Sequence, residues 1–249
     1  MNKFLAILLA TILALTIAGC GGGKGSTGSL SSDYYGLETG FELITTAEEK
    51  DSIAVTTISG TITTLVTGET ASGSGIYKVA RGIDSTSETI KLGTEGDYIQ
   101  KSGTDYNNYG YWEEGEDTKV NSGLILKNPV TSTSTSEYWE MNVTGQETVT
   151  VPAGTFTAWV FESSEDHTDY EDKGYGPGTD VEKKWFVAQL GVVKESGTYT
   201  RTGDSKTVTF LSQLTSYKKG VTLNANSLTS AQTATEAGTD SKILRRFRH

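Results

Sequence analysis

The chain has 249 residues, of which 35% are hydrophobic, 9% aromatic and 21% charged, with a formal net charge of −10. Removing Lys3, Lys24 and a basic tail leaves the body at about −14, a field that repels polyanions and excludes nucleic acid as a partner. The single cysteine, Cys20, excludes an internal disulfide, and the two histidines, His167 and the terminal His249, leave little for nucleophile–histidine or zinc chemistry.

The chain opens with Lys3 followed by an unbroken apolar or small run from Phe4 to Ala18. Roughly 15 helical residues reach about 22 Å, short of the ~30 Å hydrocarbon core, so residues 1–19 are predicted to be a signal peptide and not a membrane span. Leu15-Thr16-Ile17-Ala18-Gly19-Cys20 resembles the bacterial lipobox, an aliphatic residue and two small ones before cysteine. The resemblance implies cleavage before Cys20 and acylation, by palmitate-type chains, of its thiol and its new amine. Three acyl chains exceed what stable anchoring requires, so the first expected partner is a lipid bilayer. Residues 20–32 then form a Gly/Ser-rich tether, long enough to hold the body roughly 20 Å from the membrane. Gly21 stands where aspartate would favour inner-membrane retention, so the expected site is the outer membrane in a two-membrane cell, and otherwise the outer face of the cell membrane.

Residues 33–220 are predicted to be a single antiparallel β domain. Serine and threonine number 63, glycine 29 and proline 3. Such threonine abundance suits pleated surfaces, because a β-branched side chain loses rotamer freedom against a helical turn. Apolar residues recur two apart at Ile53/Val55, Tyr77/Val79, Ile90/Leu92 and Leu124/Leu126. With turn signals at 67–75, 93–97, 144–147 and 202–206, the pattern predicts about ten to twelve strands in a curved sheet or half-barrel.

The most aromatic stretch, "DYNNYGYWEEGED" (105–117), places Tyr106, Tyr109, Tyr111 and Trp112 beside Asn107 and Asn108. Such a platform can stack on a sugar, and strand aromatics can equally pack into a sheet; the sequence leaves both open. "TSTSTSE" (131–137) is polar on both faces and reads as an edge or loop. Trp139, Met141 and Val143 then alternate toward one face, predicted to be core.

In "TVTVPAGTFTAWVFE" (148–162), proline fixes φ and glycine tolerates positive φ two residues later, so Pro152-Ala153-Gly154 predicts a hairpin corner. Beyond it Trp159 and Phe161 are candidates to line a pocket or fill a core. "ESSEDHTDYEDKGYGPGTD" (162–180) reads as an acidic loop. It fails the EF-hand pattern, since Lys173 would occupy a ligand position. Asp166, Asp169, Asp172 and Asp180 remain a weak alternative as calcium ligands. "WFVAQLGVVKE" (185–195) predicts a second hairpin around Gly191. Residues 221–249, ending in Lys242, Arg245, Arg246 and Arg248, are expected to be a disordered tail with a basic end.

"VTVPAGTF" (149–156) and "WFVAQLGVVKE" together resemble a motif pair of uncharacterised bacterial cell-envelope lipoproteins, and "DYYGLETGFELI" (33–44) is similar to their start, with Gly36 in place of proline. The resemblance implies a curved antiparallel sheet similar to the lipoprotein-carrier half-barrel and brings no catalytic residues. The expectation is therefore a membrane-anchored, extracytoplasmic, non-enzymatic lipoprotein without a cofactor. It would bind an apolar or lipid ligand or an envelope protein. The alternative is a carbohydrate- or calcium-binding surface module; a hydrolase stands last, because His167 lies in an acidic segment without a Gly-x-Ser-x-Gly elbow.

Overall fold

The computed structural model describes residues 30–31, 33–114, 116–118, 123–168 and 176–219. The signal segment, Cys20, most of the tether, Asp169, Asp172 and the tail lie outside these residues. The described residues contain no helix. They form β1 (Glu42–Asp51), β2 (Thr56–Glu69), β3 (Ile76–Ser85), β4 (Thr89–Ser102), β5 (Asp105–Glu113), β6 (Glu116–Thr118) and β7 (Gly123–Lys127). There follow β8 (Thr135–Ser136), β9 (Met141–Val151), β10 (Gly154–His167), β11 (Gly178–Val187), β12 (Gly191–Arg201) and β13 (Thr207–Lys218).

All belong to one 13-stranded sheet, ordered β6-β5-β4-β3-β2-β1-β13-β12-β11-β10-β9-β8, with β7 pairing β5 beside β6. Every pairing is antiparallel. The chain thus enters the middle of the sheet, meanders to one edge, crosses to the other and meanders back. The edges then meet: the Tyr138 amide donates to the Leu124 carbonyl at 2.9 Å, and the Leu124 amide to Glu137 Oε2 at 3.4 Å. The result is a nearly closed barrel, which leaves little unpaired edge between β7 and β8.

The inner face can be identified from one residue. Tyr35 lies 5.4 Å from the Tyr106 ring on β5 and 5.8 Å from the Phe186 ring on β11, strands far apart in the sheet order. Cross-strand partners share a face, so Leu43, Val66, Val79, Ile99 and Leu214 point inward with Tyr106 and Phe186, and all but the half-buried Leu43 belong to the main buried cluster. Ala47, Ile62, Ile83 and Phe210 form a second inner cluster. Leu65, Ala80, Tyr98 and Trp112 form a third, on the outer face.

Several expected turns are instead strand. Gly93–Asp97 lies within β4, and Thr144–Glu147 within β9. In β4, glycine serves the ladder: a Cβ on Gly96 would stand 1.9 Å from the Val79 carbonyl oxygen, so the strands approach as closely as they do only because it is absent. The two described flanks of the expected acidic loop are likewise strand, because Glu162–His167 pairs with Gly178–Lys183. Conversely Ile53 and Val55 belong to the β1–β2 turn, where Val55 has φ 57° and is 84% exposed.

Candidate functional site

The site is best built from the segment that enters the barrel. Asp33 is buried; its Oδ1 accepts the Tyr35 amide at 3.0 Å and the Leu37 amide at 3.1 Å. Its Oδ2 accepts from Lys101 Nζ at 2.5 Å and the Tyr106 hydroxyl at 3.2 Å. One carboxylate therefore closes a tight turn and fastens it to β4 and β5. The pair with Asp33 raises the Lys101 ammonium above its usual value. Burial, then the Asp33 charge, pushes the Tyr106 phenol up to about 12.

This turn presents Tyr34 and Tyr35 to the interior. The Tyr34 hydroxyl accepts the Val130 amide at 3.0 Å, and its carbonyl accepts the Gln189 amide at 2.7 Å. Tyr35 is held well above the usual phenol range by burial and by the Asp97 carboxylate. Across the barrel seam, burial and then Asp97 push the Tyr138 phenol up to about 12, while Arg81 pulls it down. Trp139, next in the chain, sets its ring at 5.2 Å and 86° against Phe161, an edge contact, and lies 5.9 Å from Lys184 Nζ.

These contacts join two charged groups on the inner face. On β3 and β4, Arg81 pairs with Asp97 and lies 3.9 Å from Glu95. On β11 and β12, Lys184 pairs with Glu195. Register confirms that all five point inward: Arg81 is opposite Glu95, Asp97 opposite the core residue Val79, and Lys184 opposite both Glu195 and Phe161. The interior therefore has an apolar floor, a rim of half-buried Tyr35, Tyr138 and Trp139, and internally paired charges on two walls.

The expected aromatic platform is divided. Tyr106 is 1% exposed on the inner face. A bulge at Tyr109 reverses the alternation, so Trp112, 5% exposed, lies on the outer face with Tyr109 packed beside it. Lys78 Nζ stands 3.6 Å above the Trp112 ring, whose N–H finds no acceptor among the described residues. Tyr111 is 46% exposed. Phe161 is fully buried and Trp159 half-buried, both on the core. Asp166 accepts from the Thr179 hydroxyl at 2.6 Å on the outer face, whereas Asp180, opposite Glu165, faces inward. The sheet thus separates these two carboxylates, and no group of three metal-binding side chains occurs among the described residues.

Arg81, Asp97, Lys184 and Glu195 were not among the sequence candidates, although a signal existed. Arg81 sits between Val79 and Ile83 in period two, a cation on an apolar face that demands a partner.

No protein-family model matches the chain, and no curated protein is similar enough to count as a relative. Among solved structures, a candidate exported protein with YmcC-like fold from Bacteroides fragilis superposes with TM-score 0.48 at 11% identity, covering 75% of this chain and 99% of that one. A candidate lipoprotein from Parabacteroides distasonis gives TM-score 0.40 at 11% identity, over 76% of this chain and 100% of its own. A LolA superfamily protein from Nitrosomonas europaea gives 0.27 at 10% identity, over 76% and 90%.

Proposed function

We propose that the protein is a membrane-tethered, extracytoplasmic, non-enzymatic binding domain whose inner face holds an apolar or amphipathic ligand. The observation that carries this reading is the inner rim: Tyr35, Tyr138 and Trp139 are half-buried beside a closed-off apolar core, an arrangement that offers large aromatic surface inside the barrel. The lipobox-like sequence ending at Cys20 supports the tether, since an acylated cysteine followed by Gly/Ser-rich residues would hold the barrel close to a source of lipid.

The experiment is extraction of the purified full-length lipoprotein with organic solvent, followed by mass spectrometry. The expected result is a stoichiometric amphiphile besides the Cys20 acyl chains, reduced in a Trp139→Ala variant. Absence of any such molecule, together with one envelope protein captured reproducibly by in-cell crosslinking, would replace the ligand with a protein partner.

A further inference from the structure

We infer that the ligand's polar end is uncharged and hydroxyl-bearing, as in a monoacylglycerol, an inference that rests on the amphiphile-binding reading above. The argument starts from five charged side chains of the inner walls, the two groups that Tyr138 and Trp139 adjoin. Arg81 is shared by Asp97 and Glu95, and Lys184 is paired with Glu195. Lys184 is buried outright, and the Arg81 and Glu195 side chains keep only 15% and 13% of their surface.

An ionic head group would have to capture one member of such a pair, leaving the other charge without its partner in a poorly hydrated place, which is among the costlier events in a protein interior. A hydroxyl asks for less. It donates to a carboxylate lone pair or accepts from an ammonium or guanidinium N–H while the ion pair stays whole, because carboxylates accept about four hydrogen bonds, lysine donates three and arginine five. The Tyr35 and Tyr138 phenols, which sense Asp97, remain protonated below the alkaline range and add neutral donors beside it. Within these two groups three carboxylates face two cations, and the Asp33–Lys101 pair adds no net charge, so an anionic head group meets an unfavourable field as well, and a cationic head group is the strongest rival.

The test is competition by native mass spectrometry, using the mature full-length protein and four single-chain amphiphiles of equal length. These are a monoacylglycerol, a lysophosphatidylglycerol, a lysophosphatidylcholine and an alkyltrimethylammonium. The monoacylglycerol is expected to bind at least about tenfold more tightly than any charged probe. Glu195→Gln, which releases Lys184, is expected to raise affinity for the anionic probe at least about tenfold and to move the neutral probe much less. Asp97→Asn, on the other wall, gives a smaller shift of the same sign because Glu95 still shares Arg81. A charged probe binding wild type as tightly as the neutral one overturns the inference, as does an unchanged preference in both variants. Failure of all four probes on wild type and variants removes the amphiphile-binding reading itself.

Discussion

Strands β5 and β10 are both rich in aromatic residues, yet they spend them differently. In the middle of β10 both sides are buried: Phe161 faces the inner core and its neighbour Val160 is buried on the opposite side, while the β9–β10 tip docks on β13, with the Ala153 amide donating to the Leu214 carbonyl at 3.0 Å and Phe156 set 6.5 Å from Tyr217. In β5 one bulged residue sends Tyr106 inward and Trp112 outward. The same residue types therefore build a double-sided core in one strand and two separate clusters in the other. Strand composition sets how much is buried; the bulge sets where.

Four measurements would break or sharpen this contrast. Phe161→Ala should destabilise most, by about 3–5 kcal/mol in urea denaturation, because its cavity lies in the centre of the main core. A loss under ~1 kcal/mol would mean that β10 is not the core strand described. Gly96→Ala, beside Trp112 on the outer face, should cost about 1–3 kcal/mol, since the new methyl meets the Val79 carbonyl. An unchanged midpoint would show that the outer cluster yields freely.

Tyr106→Phe should cost about 0.5–1.5 kcal/mol through its lost hydrogen bond to Asp33, and Tyr111→Phe should stay within ~0.5 kcal/mol. Equal costs would erase the distinction between the buried Tyr106 and the exposed Tyr111 on β5. The last measurement is alkaline. Tyr106 and Tyr138 titrate near 12 when folded and near 10 when unfolded, so above pH 10 the folded state binds more protons. Stability should hold to about pH 10 and fall as pH rises toward 12. Tyr138→Phe should flatten that fall; an identical slope in the variant would exclude Tyr138 as its source.

Much of the fold was legible in the residues. Period-two alternation placed Tyr77 and Val79 on one strand, and the expected Pro152-Ala153-Gly154 corner is a hairpin whose loop is two residues and not three, because Gly154, at φ 145°, already pairs with Val151. Apart from Arg81 between Val79 and Ile83, the charged interior was not legible, for a physical reason. Glu162 to His167 is polar on both faces, so alternation gives no strand signal, yet Ser163 and Glu165 face an interior that is itself polar there. Bulges hid the rest: Leu92 packs outward and Ile90 inward although they lie two apart, because pairing shifts between Arg81 and Ile83. The candidate aromatics were visible as residues, but their division between faces depended on a single extra residue that no local pattern marks.

The pairing of β1 with β13 has a consequence for how the barrel could be rewired. Glu42 sits opposite Lys218, so the first and last strands run side by side with their outer ends adjacent. Joining those ends and opening the chain between β7 and β8 would give the order β8 through β13 followed by β1 through β7. In that permuted chain every strand from β8 round to β6 would pair with its immediate successor, a plain up-and-down meander. The break between β13 and β1 is thus where a locally wound ribbon has been cut, and deleting either of these strands removes a central strand, not a peripheral one.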